Sequence, residues 1–238
     1  NTRPAMMQIS EIKPAIKTQG VFIGLVELHG SAECETPLTS PLGNVSCVYY
    51  EWKVEEHWSR TVTRTYKDGK GQTRTRTETE SGWTTVAGAT EAPAFYLKDD
   101  TGVVRILADG ASVEAVSSLD RTCTATEPLY FAGGPREEIA NSDHRRRFTE
   151  RTIPLHAPLY VLGHARERQD AVAAEIAKDE QTPVFLISTR SEEEISKSGE
   201  VIRKTELQPG DLVFFNTMRR AFSHVGIYLG NNRFIHSP

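Results

Sequence analysis

Cysteine is scarce in this chain, at three among 238 residues, and an odd count argues against a complete disulfide framework while leaving room for one bridge. There is no CxxC pair and no cysteine–histidine cluster at zinc-ligand spacing, so neither a metal nor another cofactor is expected. No apolar run approaches the ~18 to 20 residues of a membrane span. Neither sign of charge dominates: the net value of -4 gives no reason to expect a nucleic-acid partner or an anionic membrane surface. A signal-peptide pattern is also missing, and since the first residue is Asn1 the expectation is that an upstream segment has been removed. What remains is an apolar fraction of 38% with 8% aromatics, low but sufficient for a β-rich core. The length allows one large or two modest domains.

The strand signals are frequent and short. Residues 21–28 (VFIGLVEL) form an apolar run between Gly20 and Gly30, a buried strand. In 45–56, Val48, Tyr50, Trp52 and Val54 alternate with Tyr49, Glu51, Lys53 and Glu55, which is the period of a strand with one apolar face. Residues 60–80 alternate Thr with Arg and Glu around a Lys-Asp-Gly-Lys-Gly turn, predicting a long solvated hairpin. Its Arg60, Arg64, Arg74 and Arg76 could bind phosphates, but Glu78 and Glu80 stand close by and favour a self-neutralising arm. Asp99-Asp100-Thr101-Gly102 reads as a turn between two strands and has too few oxygen ligands for calcium. Residues 109–141 show weak periodicity, and Gly133-Gly134-Pro135 lacks the Lys-Ser/Thr pair of a phosphate loop.

Further on, 148–153 and 159–165 read as paired strands, with Arg145, Arg146 and Arg147 as an exposed basic edge. Residues 170–179 (DAVAAEIAKD) predict a short helix or a loop insertion, 184–187 (VFLI) a last buried strand, and Ser191 with Glu194 a capping box. Cys47 falls on a strand and reads as a small buried residue. His57, His144, His156 and His164 share no ligand spacing or acidic partner pattern and are taken as surface or structural residues. Many strands, frequent turns and little helix predict a mainly β fold, a barrel or sandwich.

The last stretch, 207–238, reads LQPGDLVFF, SHVGIYLG and NRFIHSP: three short strands separated by turn signals. His224 opens the middle strand and His236 closes the last, so their imidazoles could approach at one end of a sheet. A thiol beside His224 would complete a nucleophile, base and orienter set. This segment resembles the C-terminal half of NlpC/P60 papain-like peptidases, which cut peptide stems of bacterial cell walls. The resemblance implies His224 as base and His236 as orienting residue. The family's nucleophile, on an Asp-Cys-Ser-Gly helix start, has no match here, because Cys34, Cys47 and Cys123 all lie in other contexts. The segment is therefore expected to be an incomplete papain-like half whose exposed edges and LVFF run favour self-association.

Residues 20–197 carry a second resemblance. The succession VELHGSAE, PLTSPLGNVSCVYYEWKVEE, ESGWTTV, FYLKDDTGVVRI, FTERTIPLHAPLYVLGHARE and TPVFLISTRSEEE is similar to the GIDE, or beside-a-membrane, domain. It implies a barrel-like, OB-like β domain with a long polar hairpin, next to a membrane helix supplied by segments outside this chain. In that family ubiquitin ligase activity resides in a separate zinc-binding RING module, whose ligands are not present here. The expected organisation is an N-terminal extension at 1–19, the GIDE-like domain at 20–197, a junction at 198–206 and the peptidase-like segment at 207–238. The expected role is a non-catalytic interaction domain binding an unidentified protein in the bacterial cell envelope. The alternative is an envelope cysteine peptidase acting on peptidoglycan, its nucleophile outside the chain.

Overall fold

In the computed structural model, residues 5–6, 8–12, 22–168, 173–180, 184–191, 194, 207–208, 212–215, 224–231 and 233–236 are described. Strand alternation builds the first layer. In β2 (Phe22–Glu33), Val26, Leu28 and Ala32 turn inward and are buried. Gly30 interrupts that series where β2 meets β6 (Phe95–Asp99), because a Cβ there would lie 2.4 Å from the Lys98 carbonyl oxygen. Phe95 and Leu97 of β6, then Val104 and Ile106 of β7 (Gly102–Ile106), continue the same interior. Each such side chain contributes roughly 1.5–3 kcal/mol by leaving water.

Five strands close on themselves. β2 pairs with β6, β6 with β7, β7 in parallel with β12 (Ala174–Ala177), β12 with β11 (Pro158–Glu167), and β11 again with β2. This is the expected barrel, with the Greek-key connectivity of an OB-like form. Short strands widen it: β1 (Ala5–Met6) lies parallel on β2, while β8 (Ser112–Glu114) pairs with β13 (Leu186–Ser188), which pairs with β11. The turn 99–102 forms as its sequence predicts, with Asp99 Oδ1 accepting from the Thr101 and Gly102 amides at 2.7 and 2.8 Å. Asp99 Oδ2 also accepts from the Ile9 amide at 2.9 Å, seating a helical turn whose Ile9 and Ile12 join the barrel core.

The loops between ring strands carry a second sheet. Its order is β3 (Leu38–Thr39), β4 (Ser46–Lys67), β10 (Ser142–Pro154), β9 (Val116–Thr124), with β5 (Thr73–Glu91) also paired to β4. Val48, Tyr49 and Ile153 at its root belong to the barrel cluster, so the two sheets share apolar packing. Further out, Val54, Cys123, Tyr130 and Phe148 form a separate buried cluster. The β4–β5 ladder continues to Lys67↔Thr73, well beyond the Ser142↔Trp58 pair where β10 ends. That extension is the predicted polar hairpin.

Three expectations need correction. The stretches 148–153 and 159–165 do not pair with each other, because the chain changes sheets at 155–157 and Pro158 lies opposite Ser31 of β2. The two prolines mark that crossing and no hairpin. The described part of 170–179 is strand β12, all four residues buried, and closes the barrel; a four-residue Ala-Glu-Ile-Ala strand is too short to show alternation, and its helix-favouring residues yield to tertiary pairing. Arg145 to Arg147 sit on an interior strand between β4 and β9. The weakly patterned 109–141 holds β8, β9 and a helical turn, Leu129–Ala132.

The three tail strands form as expected. β14 (Leu212–Phe215), β15 (His224–Gly230) and β16 (Arg233–His236) make an antiparallel sheet in that order. Ser191 and Glu194 make the reciprocal bonds of a capping box, Glu194 N donating to Ser191 Oγ at 3.2 Å and Ser191 N to Glu194 Oε2 at 2.8 Å. The helix expected after it, and the junction at 198–206, lie outside the described residues. Among the described residues no helix is long and apolar enough to cross a membrane.

Candidate functional site

Two places collect the residues that the sequence marks for chemistry: the tail sheet and the inserted β4–β5–β9–β10 sheet. In the tail, His224 lies opposite Phe215, and His236 lies opposite Gly226, two positions along β15 from His224. The backbone register thus brings the two histidine positions to one end of neighbouring strands. The cysteines stand elsewhere: Cys47 on β4 and Cys123 on β9 are buried, and Cys34 follows β2. Burial pushes both buried thiols up from their ordinary value, the opposite of what activates a nucleophile.

In the inserted sheet one face is closed by a buried ionic network. Arg146 and Glu56, both fully buried, are joined by hydrogen bonds from Arg146 Nη2 and Nε to Glu56 Oε2 at 2.8 and 3.1 Å. The remaining guanidinium donors reach the carbonyls of Tyr130 and Pro135 at 3.0 and 2.9 Å, and the group lies 4.3 Å from the centroid of the Tyr130 ring. Tyr130 Oη donates to Glu138 Oε1 at 2.8 Å, and His144 Nδ1 lies 2.9 Å from the same oxygen. Burial, followed by the Glu138 bond, pushes the Tyr130 phenol up to about 12. Hydrogen bonding to Glu138 raises the His144 pKa, and the same bond holds Glu138 below the ordinary carboxylate value. The network straps residues 128–138 across the sheet. It is filled by the chain's own groups.

Glu150 organises the opposite end of the same strand. Its buried carboxylate accepts from Ser40 Oγ at 2.8 Å, Ser118 Oγ at 2.7 Å, and the amides of Leu42 and Gly43 at 2.7 and 2.9 Å. Gly43 is needed there, since a Cβ would stand 2.6 Å from Glu150 Oε1.

The other face presents a mixed aromatic and charged row. The Arg147 guanidinium lies 4.9 Å from the centroid of Trp83 and donates to Glu55 at 2.7 Å. His57 packs edge-on to Trp83 at 4.8 Å and lies 2.6 Å from Asp143, which also accepts from Arg145 at 2.7 Å. Arg145 first, and then His57, keep the Asp143 carboxyl below its ordinary pKa, against the opposing effect of burial. The projecting ribbon is self-neutralising as expected: Arg60 and Arg64 reach Glu80 at 2.8 and 2.5 Å, Arg76 reaches Glu78 at 3.1 Å, and Arg74 reaches Asp68 at 2.8 Å.

One sequence expectation fails here. His57, His144 and His156 each have a carboxylate partner, respectively Asp143, Glu138 and Glu33. The partners of His57 and His156 are 86 and 123 residues away along the chain, beyond the reach of any spacing argument. Burial lowers the pKa of His164. Cross-strand alternation could have hinted at Glu56–Arg146, but only once β4 and β10 were known to be neighbours. Among the described residues no group of three or more His, Cys, Asp or Glu side chains could hold a metal ion.

Comparison with known proteins gives two kinds of similarity. The profile of the GIDE family, described as an E3 ubiquitin ligase, matches residues 63–205, more than half of the chain. The chain is also 50% identical over 48 residues to a probable endopeptidase NlpC homolog of Haemophilus influenzae, covering 20% of this chain and 24% of that protein. It is 55% identical over 38 residues to the murein DD-endopeptidase MepH of Escherichia coli, covering 16% and 14%. Against the murein DD-endopeptidase and LD-carboxypeptidase MepS of Escherichia coli it is 27% identical over 99 residues, covering 42% and 52%. The chain thus spans about half or less of the length of these relatives. No solved structure matches it significantly.

Proposed function

This chain belongs to the GIDE family, and on that premise we propose that its β region is a non-catalytic interaction domain held beside a membrane of the cell envelope. The observation that carries this reading is the inserted sheet. Its buried ionisable groups are engaged in strapping the fold together, while Trp83 and Arg147 lie partly exposed on the opposite face and the long ribbon projects beyond it. A polar sheet face with an aromatic anchor and arginines is a surface that proteins recognise. The buried thiols of Cys47 and Cys123, pushed up in pKa, support a structural role for them. Ligase chemistry, in this reading, belongs to a separate zinc-binding RING module and not to this domain.

A second reading is favoured by the similarity to murein endopeptidases. In it, His224 is the base and His236 the orienting residue of a papain-like peptidase acting on peptidoglycan stem peptides, with a thiolate supplied from outside this chain. The register of β15 and β16 supports that assignment.

One set of measurements separates the two. The full chain, alone and mixed with a polypeptide that carries an Asp-Cys-Ser-Gly nucleophile segment, is incubated with a γ-glutamyl-diaminopimelate stem peptide and, separately, with ubiquitin-loaded carrier enzyme, and a photo-crosslinking residue at Thr85 is used to capture neighbours in envelope fractions. The first reading expects no turnover in either assay and capture of a membrane protein. Stem-peptide cleavage that disappears in His224→Ala would overturn it in favour of the second.

A further inference from the structure

The ribbon has two edges, and they differ in what they can pair with. Beyond Ser142↔Trp58 and the bond from the Ser59 amide to the Asn141 carbonyl, residues 60–67 of β4 have no second strand neighbour among the described residues, and β5 is paired only to β4 along its whole length. An open edge is a template for another strand unless its side chains forbid it. The β4 edge reads Arg60, Val62, Arg64 and Tyr66 on one side of the pleat, so two copies meeting antiparallel about Val62 would set Arg60 against Arg64. In that register the edge repels itself, and in no register does it offer an unlike pair.

The β5 edge does the reverse. Residues 73–81 read Thr-Arg-Thr-Arg-Thr-Glu-Thr-Glu-Ser. Laid antiparallel against a second copy with Thr77 opposite Thr77, the register sets Arg74 against Glu80, Arg76 against Glu78, and Thr75 against Thr79. Twofold symmetry doubles each unlike pair. Directly opposed residues share a face, so all the Arg–Glu pairs fall on one side of the joined ribbon and the threonines on the other. Neighbouring registers are poorer: a shift of two residues one way keeps Arg74 against Glu78 but opposes Arg76 to Arg76, and the other way keeps Arg76 against Glu80 but opposes Glu78 to Glu78. A shift of one sets every charge against a threonine and flips the pleat. Thr73 to Thr77, Thr79 and Ser81 are exposed, so the edge is accessible.

We propose that β5 is a self-association edge through which two copies of this chain join their ribbons into one continuous four-stranded antiparallel sheet, in the register centred on Thr77. The intrachain bonds from Arg60 and Arg64 to Glu80, and from Arg76 to Glu78, leave room for this, because a carboxylate can accept from more than one guanidinium. Each glutamate then lies between arginines of its own ribbon and one of the second copy. The proposal stands apart from the envelope reading and from the tail.

The test uses charge exchange in the full chain, followed by sedimentation across a concentration series. Glu78→Arg with Glu80→Arg makes the edge all basic, and Arg74→Glu with Arg76→Glu makes it all acidic. Each alone is expected to weaken dimerisation at least about 30-fold, since every opposed pair becomes repulsive. Mixing the two variants, or combining all four changes in one chain, restores unlike pairing and is expected to restore the dimer. Thr77→Cys is expected to cross-link on mild oxidation, and Thr75→Cys is not, since Thr75 faces Thr79. Circular dichroism keeps folding in view. A chain that stays monomeric throughout, a dimer indifferent to the single-sign variants but lost on changes in LVFF, or equal cross-linking at 75 and 77 would each overturn the proposal.

Discussion

Arg146 and Glu56 face each other across β10 and β4 with no exposed side-chain surface on either, their charges 2.8 Å apart. Removing one partner leaves the other buried and uncompensated, which in comparable pairs costs about 3–5 kcal/mol. We expect Glu56→Gln and Arg146→Met each to destabilise by that order in urea titration. The double variant should lose less than the sum of the two. Additive losses would show that the pair does not act as a unit.

Glu150 and Gly43 make a second, independent prediction. Four donors converge on this carboxylate, so Glu150→Ala strands buried amides and hydroxyls at about 1–3 kcal/mol for an unsatisfied group. Gly43→Ala forces the loop from its seat at a cost of about 1–3 kcal/mol. Thermal unfolding of the two single variants and the double should show coupling, since the Cβ of one meets the oxygen of the other.

The pH dependence follows from Glu138 and His144. The His144 pKa is raised above 6.5, so its contribution is full below 6.5 and is lost as pH rises through the folded value. Glu138 is depressed below 4.5, so its contribution is full above 4.5 and is lost as pH falls through the folded value. The strap over residues 128–138 should therefore be tightest between about 4.5 and 6.5. Amide exchange around Tyr130 should be slowest in that window, and His144→Asn should flatten its upper side.

The ribbon should be dispensable for folding. Its residues lie outside every apolar cluster, and exposed substitutions away from such features usually stay within about 0.5 kcal/mol. Replacing residues 62–78 by an Asn-Gly turn should leave the unfolding midpoint nearly unchanged. A large loss would mean that the arm contributes to the body's stability.

Local pattern made much of this molecule readable from its residues. Alternation in 45–56 placed β4, the Thr-Arg-Thr-Glu series placed the ribbon and its self-neutralising pairs, Asp99 placed its turn, and Ser191 with Glu194 placed a cap. Each rests on contacts between residues close in the chain or on a two-residue period that a strand must obey. The family resemblance was carried by such segments in order, and the match over 63–205 agrees with it. Pairings between distant strands were decided only in three dimensions. Ala174 to Ala177 become a strand because the gap between β7 and β11 must be filled to close the barrel, and four residues cannot announce that. Arg146 looks like surface charge in the sequence and is buried because β9 and β4 flank it while Glu56, 90 residues earlier, neutralises it. Burial of a charge depends on what arrives beside it, and that is a property of the fold and not of the neighbouring residues in the chain.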